Sequence, residues 1–340
     1  MTFQILWPAM RWAENRQIET ASVTPDGEPT FYDTFDEIPE AVWRSADAIV
    51  STLDVPVAHR ERLERLRIFV TPKVGFDNLD VGYWAERGIP VCNVPDYGTQ
   101  EVADHAMALL LSLIRCIPMH HRRLRADPVG NWTPPLNPLA RRLSTATCGV
   151  VGLGRIGTAF TLRAKAFGLD VVCYDPYLPN GGELALGIRR ADSLAELFAQ
   201  SDIVSIHVPL SEATRGLIGA EVLANAKQDL TLINTARGEI VDIDALHDVM
   251  RSGQVRAVGL DVLPQEPPNL DRPLLKAWAA GEEWLADRLL ITPHSAFSTP
   301  ESVFDMRSKG GWVALRYLRD NRLENCVNRE LLGAVTALPR

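Results

Sequence analysis

Short apolar runs recur along the chain, and between them lie stretches whose apolar positions fall three and four apart, as on one face of a helix. The runs at 4–8 (QILWP), 48–53 (AIVSTL), 67–72 (RIFVTP) and 89–95 (IPVCNVP) read as strands, separated by segments such as ERLERL (61–66) with helical character. Runs at 202–210 (DIVSIHVPL), 230–236 (LTLINTA), 255–262 (VRAVGLDV) and 288–294 (RLLITPH) repeat the pattern. Strands alternating with helices are the sequence form of βαβ units and parallel sheets, which sets the fold class as α/β. TQEVADHAMALLLSLIRCI (99–117) carries a long apolar helical stripe, and DPVGNWTPPLNPL (127–139) gathers Pro and Gly into a predicted loop. A domain boundary near residues 95–100 follows, with the long helix opening the second domain.

The pattern is sharpest from residue 148, where CGVVGLGRIGTAFTLRAKAFGLDVVCYDP reads as strand, glycine turn, helix and strand. Gly152, Gly154 and Gly157 have G-x-G-x-x-G spacing, and Asp175 closes the second strand. Gly152 permits the tight turn, Gly154 lets the backbone approach a pyrophosphate, and Gly157 lets helix and strand pack closely. Asp175 would accept hydrogen bonds from the adenosine ribose, and its charge would repel a 2′-phosphate, so NAD is expected over NADP. Arg155 and Ile156 in the turn, His207 and Pro209 near the end of the next strand, and Thr235 and Ala236 near the end of the one following extend the predicted cofactor contacts.

With the two strands around the glycine turn, the second domain has six predicted strands. Ligands of open α/β sheets bind outside the carboxyl ends of the strands, where Gly152, Asp175, Pro209, Arg237, Asp261 and His294 fall. Arg237 sits where a nicotinamide would end and a substrate begin, and its planar fork suits a carboxylate. Glu266, in QEPP (265–268), would orient the His294 imidazole and favour its charged form, so that His294 moves a proton while the cofactor moves a hydride. His59, His120, His121 and His247 fall in apparently exposed helical stretches, and His105 in the long helix.

VVGLGRIG…YDP, NTARGEIVD, GLDVLPQEP and TPHSAF, in that order, resemble the D-isomer-specific 2-hydroxyacid dehydrogenase family. GFDNLD (75–80), VCNVP (91–95), LRAKAFG…YDPYLPNG and NCVN (325–328) most resemble its C-terminal-binding protein branch. The resemblance implies that Arg237 binds the carboxylate and carbonyl of a 2-oxo acid, that Glu266 pairs with His294 as acid–base, and that Asp261 holds the nicotinamide carboxamide beside Ala296. It also implies two Rossmann-like or flavodoxin-like domains with the active site in the cleft between them. The NAD-binding domain would span 98–298, and the discontinuous substrate domain 1–97 plus 299–340, completed by a helix at about 300–318. A homodimer through the NAD-binding domains is expected.

The chain departs from the family at TPKVGFDN, where Lys73 replaces a small residue. Lys73, Val74 and Gly75 are predicted substrate contacts, with Phe297 facing an apolar tail. The segment LLKAWAAGEEWLADR (274–288) lengthens the usual route from Glu266 to His294 and reads as a lid, a dimer contact or an exposed helical insertion. Two rival functions share the motifs: an NAD(H)-sensing corepressor that binds peptides, and a dehydrogenase of a non-carboxylate oxyanion such as phosphite.

Composition narrows the setting. A net charge of −8 argues against general affinity for nucleic acid or anionic membrane, and HHRRLR (120–125) reads as a solvated helix face. The five cysteines show no CxxC or metal spacing, which fits a reducing cytoplasm and no metal. AMALLLSLI (106–114) is far short of a membrane span, and MTFQILWPAM lacks the form of a signal peptide.

Overall fold

The computed structural model describes residues 2–9 and 15–336. The chain divides into two units, Met1–Gly98 with Ser298–Arg340, and Thr99–Phe297. Residues 1, 10–14 and 337–340, which the sequence assigns to the substrate domain, lie outside the described residues.

The first unit is built on strands β1 (Phe3–Trp7), β2 (Gly27–Phe31), β3 (Ala48–Val50), β4 (Ile68–Thr71) and β5 (Val91–Asn93). All pair in parallel, in the order β2-β1-β3-β4-β5. Three of them lie within the runs read from the sequence, and β1 overlaps the fourth, starting one residue earlier. β2 (GEPTF) does not, because Gly27, Pro29 and a single large apolar residue give no run, and an edge strand tolerates proline where a central one cannot. Gly27 is needed there, since a Cβ would stand 2.8 Å from Ile5 Cδ1.

ERLERL is not helical: helix stops at Arg60, after the single turn Val57–Arg60. Leu63 and Leu66 both reach the core, which accounts for their spacing, but the chain delivers them through turns. The buried Arg60 holds this bend by donating to Val55 O, Asp54 Oδ2 and Asp80 Oδ2 at 2.9–3.0 Å. His59 is likewise buried and not exposed, stacked on Trp43 with ring centroids 5.4 Å apart and its Nε2 3.0 Å from Asp36 Oδ1.

The helix expected at about 300–318 runs Pro300–Asp320, started by a capping box between Thr299 and Ser302 and stopped by Asn321 in the left-handed region. Arg307 on it pairs bidentately with Glu19 (Nε–Oε1 2.6 Å, Nη2–Oε2 2.8 Å), whose side chain is fully buried. Gly311 packs so close to helix Gln17–Val23 that a Cβ would lie 2.1 Å from Ser22 Oγ.

The second unit carries β6 (Thr147–Val151), β7 (Asp170–Tyr174), β8 (Arg189–Arg190), β9 (Ile203–Ile206), β10 (Leu230–Asn234), β11 (Val255–Leu260) and β12 (Leu289–Ile291). The sheet is wholly parallel, in the order β12-β11-β10-β9-β6-β7-β8. It has one strand more than the six expected: β8 is a two-residue edge strand of arginines with no apolar signal. The order in which strands are added reverses between β6 and β9, the switch point where such sheets bind ligands.

The apolar stripe at 99–117 forms two helices rather than one, Thr99–Ile114 and Ile117–Ala126, bent by 55°. Cys116 takes φ +54° at the break and Pro118 sits in the first turn of the second helix. Among the described residues no single helix is long and apolar enough to cross a membrane. The segment 274–288 is not an exposed insertion: Leu274, Leu275, Ala277 and Leu285 are buried in the core beside Leu246 and Met250. Trp284 caps it, with the Arg251 and Arg288 guanidinium carbons 4.9 and 5.9 Å from its ring centroid.

Candidate active site

One residue past their carboxyl ends, neighbouring strands of the second unit stay in register. Gly152 N donates to Tyr174 O, His207 N to Val151 O, Asp261 N to Asn234 O and Thr292 N to Leu260 O, all at 2.8–2.9 Å. The candidate residues are therefore ordered along one sheet edge: Asp175, Gly152, His207, the Thr235–Arg237 turn, Asp261 and then the turn bearing His294. At about 4.8 Å per strand, Asp175 and the His294 turn stand roughly 24 Å apart along the edge.

The Asp175 end fits a dinucleotide. Gly152 takes φ +88°, and a Cβ there would meet His207 O at 2.9 Å; on Gly157 it would lie 2.1 Å from Gly152 O. Gly154 differs, because a Cβ there would meet nothing within 4 Å. This open glycine begins helix Arg155–Ala166, whose first N–H groups and dipole favour a phosphate. Arg155 is exposed and Ile156 half-buried beside it. Asp175 accepts Leu153 N on Oδ2 and Tyr177 N on Oδ1, both at 2.9 Å, which fixes the carboxylate and leaves each oxygen a lone pair. It also lines a hollow of about 460 Å³ with Asn180, Glu183, Arg190 and Asp192. Thr235 Oγ1 is buried with no hydrogen-bond partner among the described residues, a polar atom suited to a ligand at mid-edge. Pro209 is exposed, and its carbonyl accepts Thr214 Oγ1 at 2.6 Å.

His207 lies behind the glycine turn, its ring 5.0 Å from that of Phe160 and its Nε2 2.9 Å from Ser205 Oγ. Burial pushes its pKa down to about 3, so the folded protein keeps it neutral. The unfolded chain protonates it below about 6.5, and stability is therefore lost as pH falls from about 6.5 toward about 3, at up to about 1.4 kcal/mol per pH unit. His207→Gln is expected to flatten that part of the curve; denaturant melts at pH 4.5 and 7 with the same loss in both proteins would disprove the assignment.

At the other end the catalytic candidates assemble. His294 Nδ1 lies 2.7 Å from Glu266 Oε2, and both side chains are partly exposed. A carboxylate only accepts, so Nδ1 carries a proton and Nε2 is left for substrate. Glu266 is itself held, Oε1 accepting Leu263 N at 3.0 Å. Arg237 is brought alongside by Gly238, where a Cβ would fall 1.9 Å from the Leu263 carbonyl carbon: only glycine lets the Arg237 turn approach the Glu266 loop so closely. Asn234 shapes that turn by donating to Arg237 O at 2.8 Å and accepting Ala236 N at 3.0 Å. Phe297 presents its ring edge-on to His294, centroids 6.4 Å apart.

His294 takes φ +51°, uncommon for a residue with a side chain. Asp261 keeps it there. Its carboxylate is 1% exposed and accepts Thr292 Oγ1 at 2.6 Å, Ser295 N at 2.9 Å and Ala296 N at 2.9 Å, while its carbonyl accepts His294 N at 2.8 Å. Those contacts make Asp261 the hub of the turn that carries the imidazole. His105 joins through Nε2, 2.9 Å from Thr292 Oγ1. Asn234 and Thr292 lie inside NTARGEIVD and TPHSAF, where sequence alone assigns them no role, and His105 lies in the long helix, where nothing local marks it.

Lys73, Val74 and Gly75 belong to the first unit, on the loop leaving β4. Lys73 Nζ donates to Asn78 Oδ1 at 3.0 Å, Val94 N to Lys73 O at 3.2 Å, and Asn93 Nδ2 to Val74 O at 2.7 Å.

Known proteins resemble this chain in sequence and fold. The sequence model of the D-isomer specific 2-hydroxyacid dehydrogenase NAD-binding domain matches residues 107–296. A D-3-phosphoglycerate dehydrogenase of Methanocaldococcus jannaschii is 36% identical over 300 residues, which cover 87% of this chain; the chain spans only about half, 54%, of that longer relative. The D-lactate dehydrogenase of Aquifex aeolicus, solved with NAD and lactic acid, superposes with a TM-score of 0.77 at 28% identity, covering 97% of this chain and 98% of that one. The NADPH-dependent glyoxylate/hydroxypyruvate reductase of Sinorhizobium meliloti, solved with NADP and malonate, gives 0.80 at 27% identity over 100% and 99%. Glycine turn, terminal acid, arginine turn and histidine–glutamate pair, in that order on one parallel sheet, agree with these likenesses: the chain belongs to the D-isomer-specific 2-hydroxyacid dehydrogenase family.

Proposed function

We propose that the protein interconverts a D-2-hydroxy acid and a 2-oxo acid with NAD as cofactor, and that the 2.7 Å His294–Glu266 pair beside Arg237 carries the reaction. When bound, the nicotinamide supplies or accepts the hydride. Gly154 would let the pyrophosphate approach the helix N-terminus, Gly152 and Gly157 shaping the turn that presents it, with Arg155, Ile156, His207, Pro209, Thr235, Ala236 and Ala296 along the cofactor's path. Arg237 holds the substrate carboxylate through its fork. Nε2 of His294 gives a proton to the carbonyl oxygen in reduction and takes it back in oxidation, and Glu266 stabilises the imidazolium between those events. Asp261 keeps the imidazole in place as well as meeting the carboxamide. Lys73, Val74, Gly75 and Phe297 are assigned to the substrate's far end by resemblance, and the unit of residues 1–97 and 299–340 to the substrate domain.

NAD is favoured over NADP because the hollow beside Asp175 holds three carboxylates, Asp175, Glu183 and Asp192, against one guanidinium, Arg190. Arg190 donates to Asp175 O and Leu178 O at 3.0–3.1 Å, which ties its guanidinium to the backbone and leaves the carboxylates in excess. Asp175→Ala is therefore expected to narrow the NAD preference at least tenfold; equal kcat/KM for both cofactors in the unaltered protein would overturn the assignment. The activity is tested by NADH oxidation across a panel of 2-oxo acids, with phosphite assayed in the NAD-reducing direction. Turnover of phosphite alone would replace the hydroxy-acid reading.

The C-terminal-binding protein branch is the nearest placement within the family, on GFDNLD, VCNVP and NCVN. A homodimer through the NAD-binding domains is supported by the exposed Val129, Trp132 and Leu136 on segment 127–139, and a monomer in sedimentation equilibrium would refute it. A reducing cytoplasm suits the five free thiols.

A further inference from the structure

Cys92 and Cys326 are distant in sequence yet face each other across an isolated antiparallel bridge in the first unit. The flanking backbone bonds, Asn93 N to Asn325 O at 3.1 Å and Val327 N to Val91 O at 2.8 Å, come from the residues beside them and not from the cysteines. That is the non-hydrogen-bonded type of pair, which sets facing Cα atoms about 4.5 Å apart and brings their side chains closest. Disulfides span Cα separations of about 4.4–6.8 Å.

The register is firmly held. Asn328, 1% exposed, accepts Val91 N at 2.9 Å on Oδ1 and donates to Ile89 O at 3.0 Å through Nδ2. Both cysteines are free thiols, Cys92 wholly buried and Cys326 partly exposed.

We propose that Cys92 and Cys326 form a reversible disulfide, Cys326 being the thiol that meets a small-molecule disulfide and Cys92 the partner that resolves the adduct. Exposure divides the roles, because only Cys326 can be reached from solvent. Their acidities divide the same way. A hydrogen bond from Cys92 lowers the Cys326 thiol to about 7, with further help from backbone N–H groups and the Arg329 guanidinium, whereas the same hydrogen bond and burial raise Cys92.

In the first step the Cys326 thiolate attacks one sulfur of the oxidant, forming a mixed disulfide and expelling one thiolate. Cys92 then gives up its proton, its sulfur attacks Cys326 Sγ, and the second half of the oxidant leaves as a thiol. Two protein thiols are oxidised, one disulfide is reduced, and two small thiols are released. The bond would tie β5 to the chain segment that returns at Asn325, one residue from the Asn93 side chain that holds Val74 O.

The test is to treat the native full-length protein with oxidised glutathione, quench with acid, and alkylate under denaturing conditions. Expected are a mass lower by two hydrogens, two fewer alkylated thiols, a non-reduced peptide joining Cys92 to Cys326, and full reversal by dithiothreitol. Cys92→Ser should stop at a glutathione adduct on Cys326, and Cys326→Ser should not react. The buried Cys116, Cys148 and Cys173 should stay alkylatable throughout. A wild-type protein that keeps all its thiols, holds a stable glutathione adduct on Cys326, or links any other pair would overturn the proposal.

Discussion

Arg237→Ala is expected to lower kcat/KM for a good 2-oxo acid by ~10²–10⁴ while NADH affinity stays unchanged. Two charge-assisted hydrogen bonds from one guanidinium to a carboxylate contribute ~1.5–3 kcal/mol each, or ~3–6 kcal/mol together, at about 1.4 kcal/mol per decade. The truncation removes the 2.8 Å bond from Arg237 Nη1 to Ala236 O but leaves the bonds that frame the turn. Asn234 fixes the turn through the backbone of Ala236 and Arg237, and Gly238 packs on Leu263 whatever side chain precedes it. Arg237→Lys should recover only part of the loss, since an ammonium keeps the charge without the planar fork. Steady-state kinetics with NADH titrated in parallel decides the matter. If activity survives, or NADH binding collapses equally, Arg237 is structural and does not grip substrate.

His294→Asn should reduce turnover by a further-reaching mechanism at a similar scale, ~10²–10⁴, by deleting the positioned proton donor. Asparagine is the informative replacement because it tolerates the φ of +51° that the turn imposes, so the Asp261-centred bonds can persist. NADH affinity should remain near normal. Glu266→Gln should slow turnover less, because the imidazole keeps a hydrogen-bonding neighbour but its charged form loses a carboxylate. Retention of most of the turnover in His294→Asn would remove that residue from the chemistry.

How far these features could be read in advance followed from physical range. Central strands such as β6, β9 and β10 are buried on both faces and announce themselves as apolar runs, whereas the edge strands GEPTF and Arg189–Arg190 do not. Glycines with one steric task were legible too: Gly152 and Gly157 stand where any side chain would strike backbone. What stayed hidden depends on contacts between segments far apart in the chain. Nothing in LDVLPQ announces that the Asp261 carboxylate accepts three hydrogen bonds from the turn bearing His294, and nothing in EVADHAM announces that His105 reaches Thr292. The 274–288 segment misled for the same reason, since its charged residues mask four apolar anchors that the core receives.

The Arg307–Glu19 pair bears on the order in which the chain acquires structure. Residues 99–297 are contiguous and can fold as soon as they have left the ribosome, but the first unit draws its closing helix from beyond them. Until Arg307 is synthesised, native packing around helix Gln17–Val23 would bury the Glu19 carboxylate without a counter-charge, several kcal/mol uphill. The amino-terminal hundred residues thus emerge first yet complete their packing only once the helix beyond residue 299 has followed.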